Sequence, residues 1–303
     1  MQMMIQTGPV VLALEELFPF SQTRFMGAWK LDPFLCDPQK RTDLQIRRLT
    51  SAAATGTAAA PSFLPMGKSI PICDEAQGFF NTQVYESPEG YDFRYVRRSN
   101  DRTMLRYHVS PDWKQINLVE DESESAGQLA FEYLIHILPA AMLSLEVLTF
   151  HGVLLEYEGK GIILSAPSGV GKTTHARLWT RHKRAIILNG DKSAVYKKDG
   201  IWTGFGMPWS GSSGEYMNRE VPIAAHVILE RGEHNQAEKC PAFDAFSGVL
   251  AHLLSPRWNT SMMEKSMDLL EDYLSHVPVY RLRCRPDVEA VEVLQDCIFE
   301  TDD

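Results

Sequence analysis

No two cysteines in this chain stand at CxxC spacing, and none belongs to a Cys/His array. The five present, Cys36, Cys73, Cys240, Cys284 and Cys297, are scattered, which argues against a disulfide framework or a zinc site and for reduced thiols. No run approaches the ~18 uninterrupted apolar residues of a membrane-spanning helix. The opening MQMMIQTGPVVLALEELFPF holds an apolar patch with no Lys or Arg ahead of it, so no secretory signal is expected and the cytoplasm is the expected compartment. Positive charge is also scarce. Thirty Lys and Arg face 39 Asp and Glu, and the net charge of -9 disfavours nucleic acid and anionic membrane as partners. It leaves room for one local basic cleft. No internal repeat is visible.

What is there suits a folded chain of two domains. With 303 residues, 44% of them apolar, there is material for a sizeable core. Residues 1–119 read as a small β-rich domain: LQIRRLT near Leu44 has strand composition. Three further strand-like runs between Gln83 and Val109 are punctuated by Pro88-Glu89-Gly90 and Ser99-Asn100-Asp101, which are hairpin signals for an antiparallel sheet. The small-residue stretch 51–62 reads as a loose loop, and the acidic stretch 120–127 as a linker. A second domain is expected over 127–303. Leu134, Ile137, Leu138, Ala141, Leu145 and Leu148 recur at helical spacing with a bend at Pro139. Two short strands, VLLEYE and GIILSA, then lead into a glycine-rich loop and a helix. A strand, AIILNGD, follows, then a β-rich stretch to about Arg231. Helical patterns around 243–254, 261–276 and 286–298 close the chain.

The loop, Ala166-Pro167-Ser168-Gly169-Val170-Gly171-Lys172-Thr173, matches the Walker A pattern with Ala in place of the first Gly. Glycines let successive backbone N–H groups converge on phosphate oxygens at a helix N-terminus. Ser168, Gly169, Val170, Gly171, Lys172, Thr173 and Thr174 are therefore the expected nucleotide-binding residues. Lys172 would neutralise the β/γ-phosphates, and the Thr173 hydroxyl would ligate Mg²⁺. Asp191, at the end of the next hydrophobic strand, is the expected second anchor for the metal. The implied cofactors are ATP and Mg²⁺.

The order FHG, SAPSGVGKTT, LNGDK, GMPWSG resembles the C-terminal domain of HPr kinase/phosphorylase and its kinase-like relatives, over about Gln128 to the C-terminus. The resemblance implies an α/β fold: a P-loop core of the phosphoenolpyruvate-carboxykinase/HPr-kinase type with a mixed β-sheet and C-terminal helices, carrying the smaller β-rich N-terminal domain as an appendage. It also implies an ATP-dependent kinase acting on a serine hydroxyl.

The chain departs from that pattern at one point. The family's acidic strand ends in two adjacent aspartates, for metal and for base; here the residues are Asn189-Gly190-Asp191-Lys192, with one carboxylate. Either no strong base is required, transfer being largely positioning and electrostatics, or the base is His151, ahead of the strand pair, or Glu215, brought in by a mobile Gly/Ser loop; the last two also have bland readings, as a packed histidine and an exposed loop carboxylate. Lys192 would add positive charge or lie solvated. Arg231 ranks first, ahead of Arg219 and Arg257, as a second phosphate clamp, against the commoner fate of a surface ion pair. Trp209 and the Met262, Met263, Met267 group read as packing residues, and His175 as packing or facing solvent. The expected function is an ATP- and Mg²⁺-dependent phosphotransferase whose partners are the nucleotide and a hydroxyl-bearing acceptor (peptide, protein or small molecule), with homo-oligomerisation left open. The alternative is a nucleotide-binding regulatory or scaffold protein with little turnover. A carboxykinase or a mechanical ATPase finds less support in the residues.

Overall fold

The computed structural model describes residues 2–15, 31–49, 71–121 and 128–299. The stretch 51–62 and most of the acidic stretch 120–127 lie outside them. The chain is mixed α/β and divides into two compact units, one comprising 1–6 and 10–144, the other 7–9 and 145–303.

The first unit carries an eight-stranded sheet. Its strands are β1 (Gln2–Thr7), β2 (Val10–Glu15), β3 (Leu44–Arg48), β4 (Cys73–Gln77), β5 (Phe80–Ser87), β6 (Gly90–Arg97), β7 (Arg102–Val109) and β8 (Gln115–Asp121). They lie in the order β1-β2-β3-β8-β7-β6-β5-β4. The hairpins from β5 to β7 turn where the sequence places turn residues. The sheet as a whole is mixed rather than antiparallel, because β3 pairs parallel to both β2 and β8. Pairing across such separations leaves no local signature. Two short helices, α1 (Gln128–Tyr133) and α2 (Leu138–Ser144), are separated by a 3₁₀ turn at Leu134–His136. They cluster with this first unit, whereas the sequence reading starts the second domain ahead of them. The reason is aromatic: Tyr95 and Tyr107 donate hydroxyl hydrogen bonds to the carbonyls of Tyr133 and Ala130, and Phe80 stacks at a tilt on Tyr133.

The second unit holds β9 (Leu148–Tyr157), β10 (Lys160–Ser165), α3 (Lys172–Lys183), β11 (Ile186–Asn189), β12 (Lys192–Lys198), β13 (Ile201–Phe205) and β14 (Glu220–Arg231). It continues with β15 (Gln236–Lys239), α4 (Ala242–Leu250), α5 (Thr260–His276), β16 (Val279–Cys284) and α6 (Val288–Phe299). The three closing helices fall near their expected positions; β15 and β16 carry no advance sequence reading. Two long strands organise the sheet by taking different neighbours along their length. One edge of β9 carries β12 against Leu148–His151 and then β11 against Leu154–Glu156, while β10 joins the opposite edge over Gly152–Tyr157. In β14, the first residues pair with β13 and the rest run parallel to β10 and β16.

One face of this sheet is a dry core. Val153 and Leu155, Ile162 and Leu164, Val227 and Leu229 alternate along their strands at the period of two that puts side chains on one face. Trp179 of α3 and Val291 and Leu294 of α6 close over them. Each large apolar side chain so buried contributes roughly 1.5–3 kcal/mol. This packing anchors α3, whose N-terminus begins the candidate site.

Candidate active site

The site assembles where β10 joins β9 on the edge opposite β12. His151 is the last residue paired with β12, its register partner being Lys192, and Gly152 pairs with Ser165, the last residue of β10. The two edges of β9 therefore bring the start of β12 and the glycine loop to one place. Gly152 is required there by close approach: a Cβ would stand 2.9 Å from Ser165 Oγ and 3.0 Å from the Leu164 carbonyl. Its N–H donates to the Asp191 carbonyl at 3.0 Å, tying Asp191 to β9.

The glycine loop joins β10 to α3, as the sequence leads one to expect. Gly169 and Gly171 have φ of 79° and 124°, a region that L side chains rarely adopt, and open space lies where their Cβ atoms would be. The requirement is thus conformational rather than steric. No side chain caps the N-terminus of α3, so its first N–H groups are left for solvent or a ligand. An open cavity of about 460 Å³ lies against them. Its walls are His151, Ser168, Gly169, Gly171, Lys172, Thr173, Thr174, Arg177, Gly190, Asp191 and Ser213. Val170 turns away and packs against the core.

Lys172 is buried. Its Nζ donates to the Ala166 carbonyl at 2.6 Å and lies 3.2 Å from His151 Nε2. Burial pulls the Lys172 pKa below its ordinary value, with Lys192 adding to the fall and Asp191 opposing it. His151 is pulled down as well, first by burial, then by Lys192 and Lys172, against Asp191. It is therefore neutral at pH 7, and with an ammonium facing Nε2 the ring proton belongs on Nδ1. Nδ1 lies 3.4 Å from Asp191 Oδ1, an ion-pair distance without hydrogen-bond geometry. The other carboxylate oxygen of Asp191 is 3.2 Å from Lys192 Nζ. One carboxylate thus faces two lysines and a histidine, and the balance of charge at the cavity is positive in a chain that is acidic overall.

The strand expected to end at Asp191 ends at Asn189, and the difference matters. Asn189 is fully buried. Its Nδ2 donates to the carbonyls of Met207 and Trp209, both at 3.0 Å, and its Oδ1 accepts from the N–H groups of Asp191 at 3.0 Å and Lys192 at 2.8 Å. This amide holds the turn that presents Asp191 and ties it to the 207–209 segment. In the sequence it stands out only as a residue that is not a carboxylate.

Glu215 sits on a segment that its backbone ties down. Gly190 N–H donates to the Glu215 carbonyl at 3.0 Å, and Ser213 Oγ accepts from Glu215 N–H at 3.2 Å. The close packing extends to Gly211, where a Cβ would stand 2.6 Å from Asp191 Cγ. The Glu215 carboxylate lies beside Arg177, outside the cavity walls. Arg231 is not among the cavity walls either; its Nη2 donates to the Gly169 carbonyl at 2.6 Å. Arg219 pairs with Glu156 at 2.7 Å, and Arg257 is exposed. Trp209 is buried, and His175 is buried with its Nε2 accepting from Trp179 Nε1 at 3.2 Å, its pKa lowered to about 4 by burial.

Three residues near the site carry no advance sequence reading. Arg177 lines the cavity one turn beyond Thr173. His252 is half-buried, its carbonyl accepting from His151 N–H at 2.8 Å; burial, then Lys172 and His151, lower its pKa to about 4. His226 is wholly buried between Ser165 Oγ at 2.9 Å and Tyr273 Oη at 3.1 Å, and burial, with a smaller contribution from His252, lowers it to about 3. The chain from Ser165 through His226 to Tyr273 fixes the end of β10 from below.

Among the described residues no group of three or more His, Cys, Asp or Glu forms a metal cage. Asp191 and Thr173 nonetheless line one cavity, and a carboxylate with a hydroxyl is the sparse oxygen set that Mg²⁺ accepts when phosphate oxygens and water complete its shell. The donors present fit that use.

No helix among the described residues is long and apolar enough to cross a membrane. No protein-family model matches the sequence, and no curated protein matches it. Among solved structures, the HPr(Ser) kinase/phosphatase of Coxiella burnetii matches with a TM-score of 0.30 and 10% identity, over 50% of this chain and 88% of that one.

Proposed function

We propose that the protein is a phosphotransferase that binds ATP with Mg²⁺ in the cavity at the N-terminus of α3 and passes the γ-phosphoryl group to a hydroxyl of a peptide, a protein or a small molecule. The observation that carries this reading is the convergence on one open cavity of the glycine loop, an uncapped helix N-terminus, Lys172, Thr173 and Asp191. The N–H groups of Ser168 to Thr174 would cradle phosphate oxygens. Lys172 would exchange the Ala166 carbonyl for the β/γ-phosphates, a favourable exchange for an ammonium whose charged form burial disfavours. Mg²⁺, held by Thr173 and Asp191, would neutralise charge on the phosphates.

In the transfer, the bond from the γ-phosphorus to the β–γ bridging oxygen breaks as a bond to the acceptor oxygen forms, and the hydroxyl proton must leave. His151 suits that proton. It is neutral, it lines the cavity, and its Nε2 lone pair is freed when Lys172 turns to the phosphates. Asp191 is less suited, since Lys192 and His151 already face its two oxygens.

The same pairing of Asp191 favours a second reading, a nucleotide-binding regulatory protein with little turnover. Transfer of labelled γ-phosphate from Mg-ATP in cell extract separates the two. Label on an acceptor that disappears with Lys172→Ala, and falls about 10²–10³-fold with Asp191→Asn, supports the phosphotransferase. Nucleotide bound by wild type with no label moved overturns it in favour of the regulatory reading.

A further inference from the structure

We infer that Arg177 reads the terminal phosphate of the nucleotide and that Glu215 is its resting partner, displaced by that phosphate; the inference rests on the nucleotide reading of the cavity. Arg231, the arginine the sequence favours as clamp, is engaged at 2.6 Å by the carbonyl of Gly169 and does not itself line the cavity. Arg177 is held differently. It stands four residues after Thr173, on the same face of α3, and both line the cavity. Helical side chains point back toward the N-terminus, so a long side chain roughly 7.5 Å along the axis from Lys172 returns its guanidinium to the mouth of the loop. It therefore stands outward of Lys172 in the cavity that Gly190 and Ser213 also line.

The contacts of Arg177 with Glu215 are loose: Nε to Oε1 is 3.4 Å and Nη2 to Oε2 is 3.5 Å, with the arginine side chain 59% exposed and the glutamate 30%. Charge-assisted pairs of this type close to about 2.7–2.9 Å when they are strong. The backbone hydrogen bond from Gly190 to Glu215 keeps the carboxylate at the rim of the cavity, while its side chain can rotate. A carboxylate so placed occupies the anion position beside the guanidinium that a phosphate would take. The guanidinium fork donates to a phosphate in two-point fashion, so an arriving terminal phosphate competes with the carboxylate for Arg177 and turns Glu215 to solvent.

Calorimetric titration with the Mg²⁺ complexes of β,γ-imido-ATP and of ADP tests this, on wild type, Arg177→Met, Arg177→Lys, Glu215→Gln and the Arg177→Met/Glu215→Gln double variant. Both side chains are at the surface, and equal melting temperatures would show that the variants fold. The expected result is a loss of about tenfold in affinity for imido-ATP with Arg177→Met, the size of one charge-assisted hydrogen bond, and less than about twofold for ADP. Arg177→Lys should fall between wild type and Arg177→Met. Glu215→Gln should tighten imido-ATP, and the double variant should lose that gain. An Arg177→Met variant that weakens both ligands equally, or neither, overturns the assignment, as does a Glu215→Gln variant that weakens imido-ATP. Wild type that binds neither nucleotide at millimolar concentration overturns the nucleotide reading itself, and the role of Arg177 with it.

Discussion

Each unit of this protein holds a cluster of charged residues, and the two clusters are built on opposite plans. In the first unit Asp92 is buried, and Arg106, also buried, closes on it at 2.9 Å from both Nε and Nη2. Arg94 adds a 2.8 Å bond to the same carboxylate while stacking 4.1 Å over the ring of Tyr85. Every strong donor there is turned inward on an acceptor. In the second unit Asp191 faces Lys192 and His151 at 3.2 and 3.4 Å, Lys172 turns to a backbone carbonyl, and the group opens onto a cavity. A closed cluster holds strands together. An open cluster leaves positive charge facing a cavity.

The contrast can be broken by measurement. The largest effect is expected in the closed cluster: Asp92→Ala leaves Arg106 buried without its carboxylate and should cost about 3–5 kcal/mol in urea unfolding. A loss below about 1 kcal/mol would mean that the first cluster is no more structural than the second. Next comes Asn189→Ala, which strips two carbonyls and two N–H groups of their partner. It should cost about 2–3 kcal/mol and, unlike Asp92→Ala, weaken nucleotide binding, because the turn carrying Asp191 loses its brace.

The buried histidines come third. His226 and His175 have folded pKa values of about 3 and about 4 against 6.5 when unfolded. The unfolded chain therefore binds protons first as pH falls. Stability is complete above pH 6.5 and declines below it toward pH 4, with a slope of up to ~1.4 kcal/mol per pH unit for each group. His226→Gln should flatten that slope in unfolding curves taken at successive pH values. The smallest change in stability belongs to the open cluster. Lys192→Met should alter unfolding by less than about 1 kcal/mol, since the pair it breaks is partly solvated. It should still raise the His151 pKa in an NMR titration, because Lys192 is the largest electrostatic cause of its depression.

Local chemistry was legible in advance to an uneven degree. The loop from Ala166 to Thr173 announces its turn and its helix through glycine spacing, and the strands and helices flanking it follow from periodicity. The hairpins at Pro88-Glu89-Gly90 and Ser99-Asn100-Asp101 are equally plain. Parallel pairing of β3 with β2 and β8 is not, since it joins residues as far apart as Arg48 and Leu118 without any turn to mark it. The bracing role of Asn189 and the cavity position of Arg177 are hidden in the sequence for a related reason. A buried amide and a cavity arginine look like any other Asn and Arg until their neighbours are known.

The sequence by itself determined the backbone of the loop, because Gly169 and Gly171 admit dihedral angles that other residues resist. Only the tertiary structure decided which charged groups meet. His151 comes beside Lys192 and Lys172 because β9 has β12 on one edge and β10, which leads into the glycine loop, on the other, and Arg231 goes to the Gly169 carbonyl while Arg177 lines the cavity. Such meetings depend on strand register and side-chain direction between segments distant in the chain, and no residue's own composition specifies them.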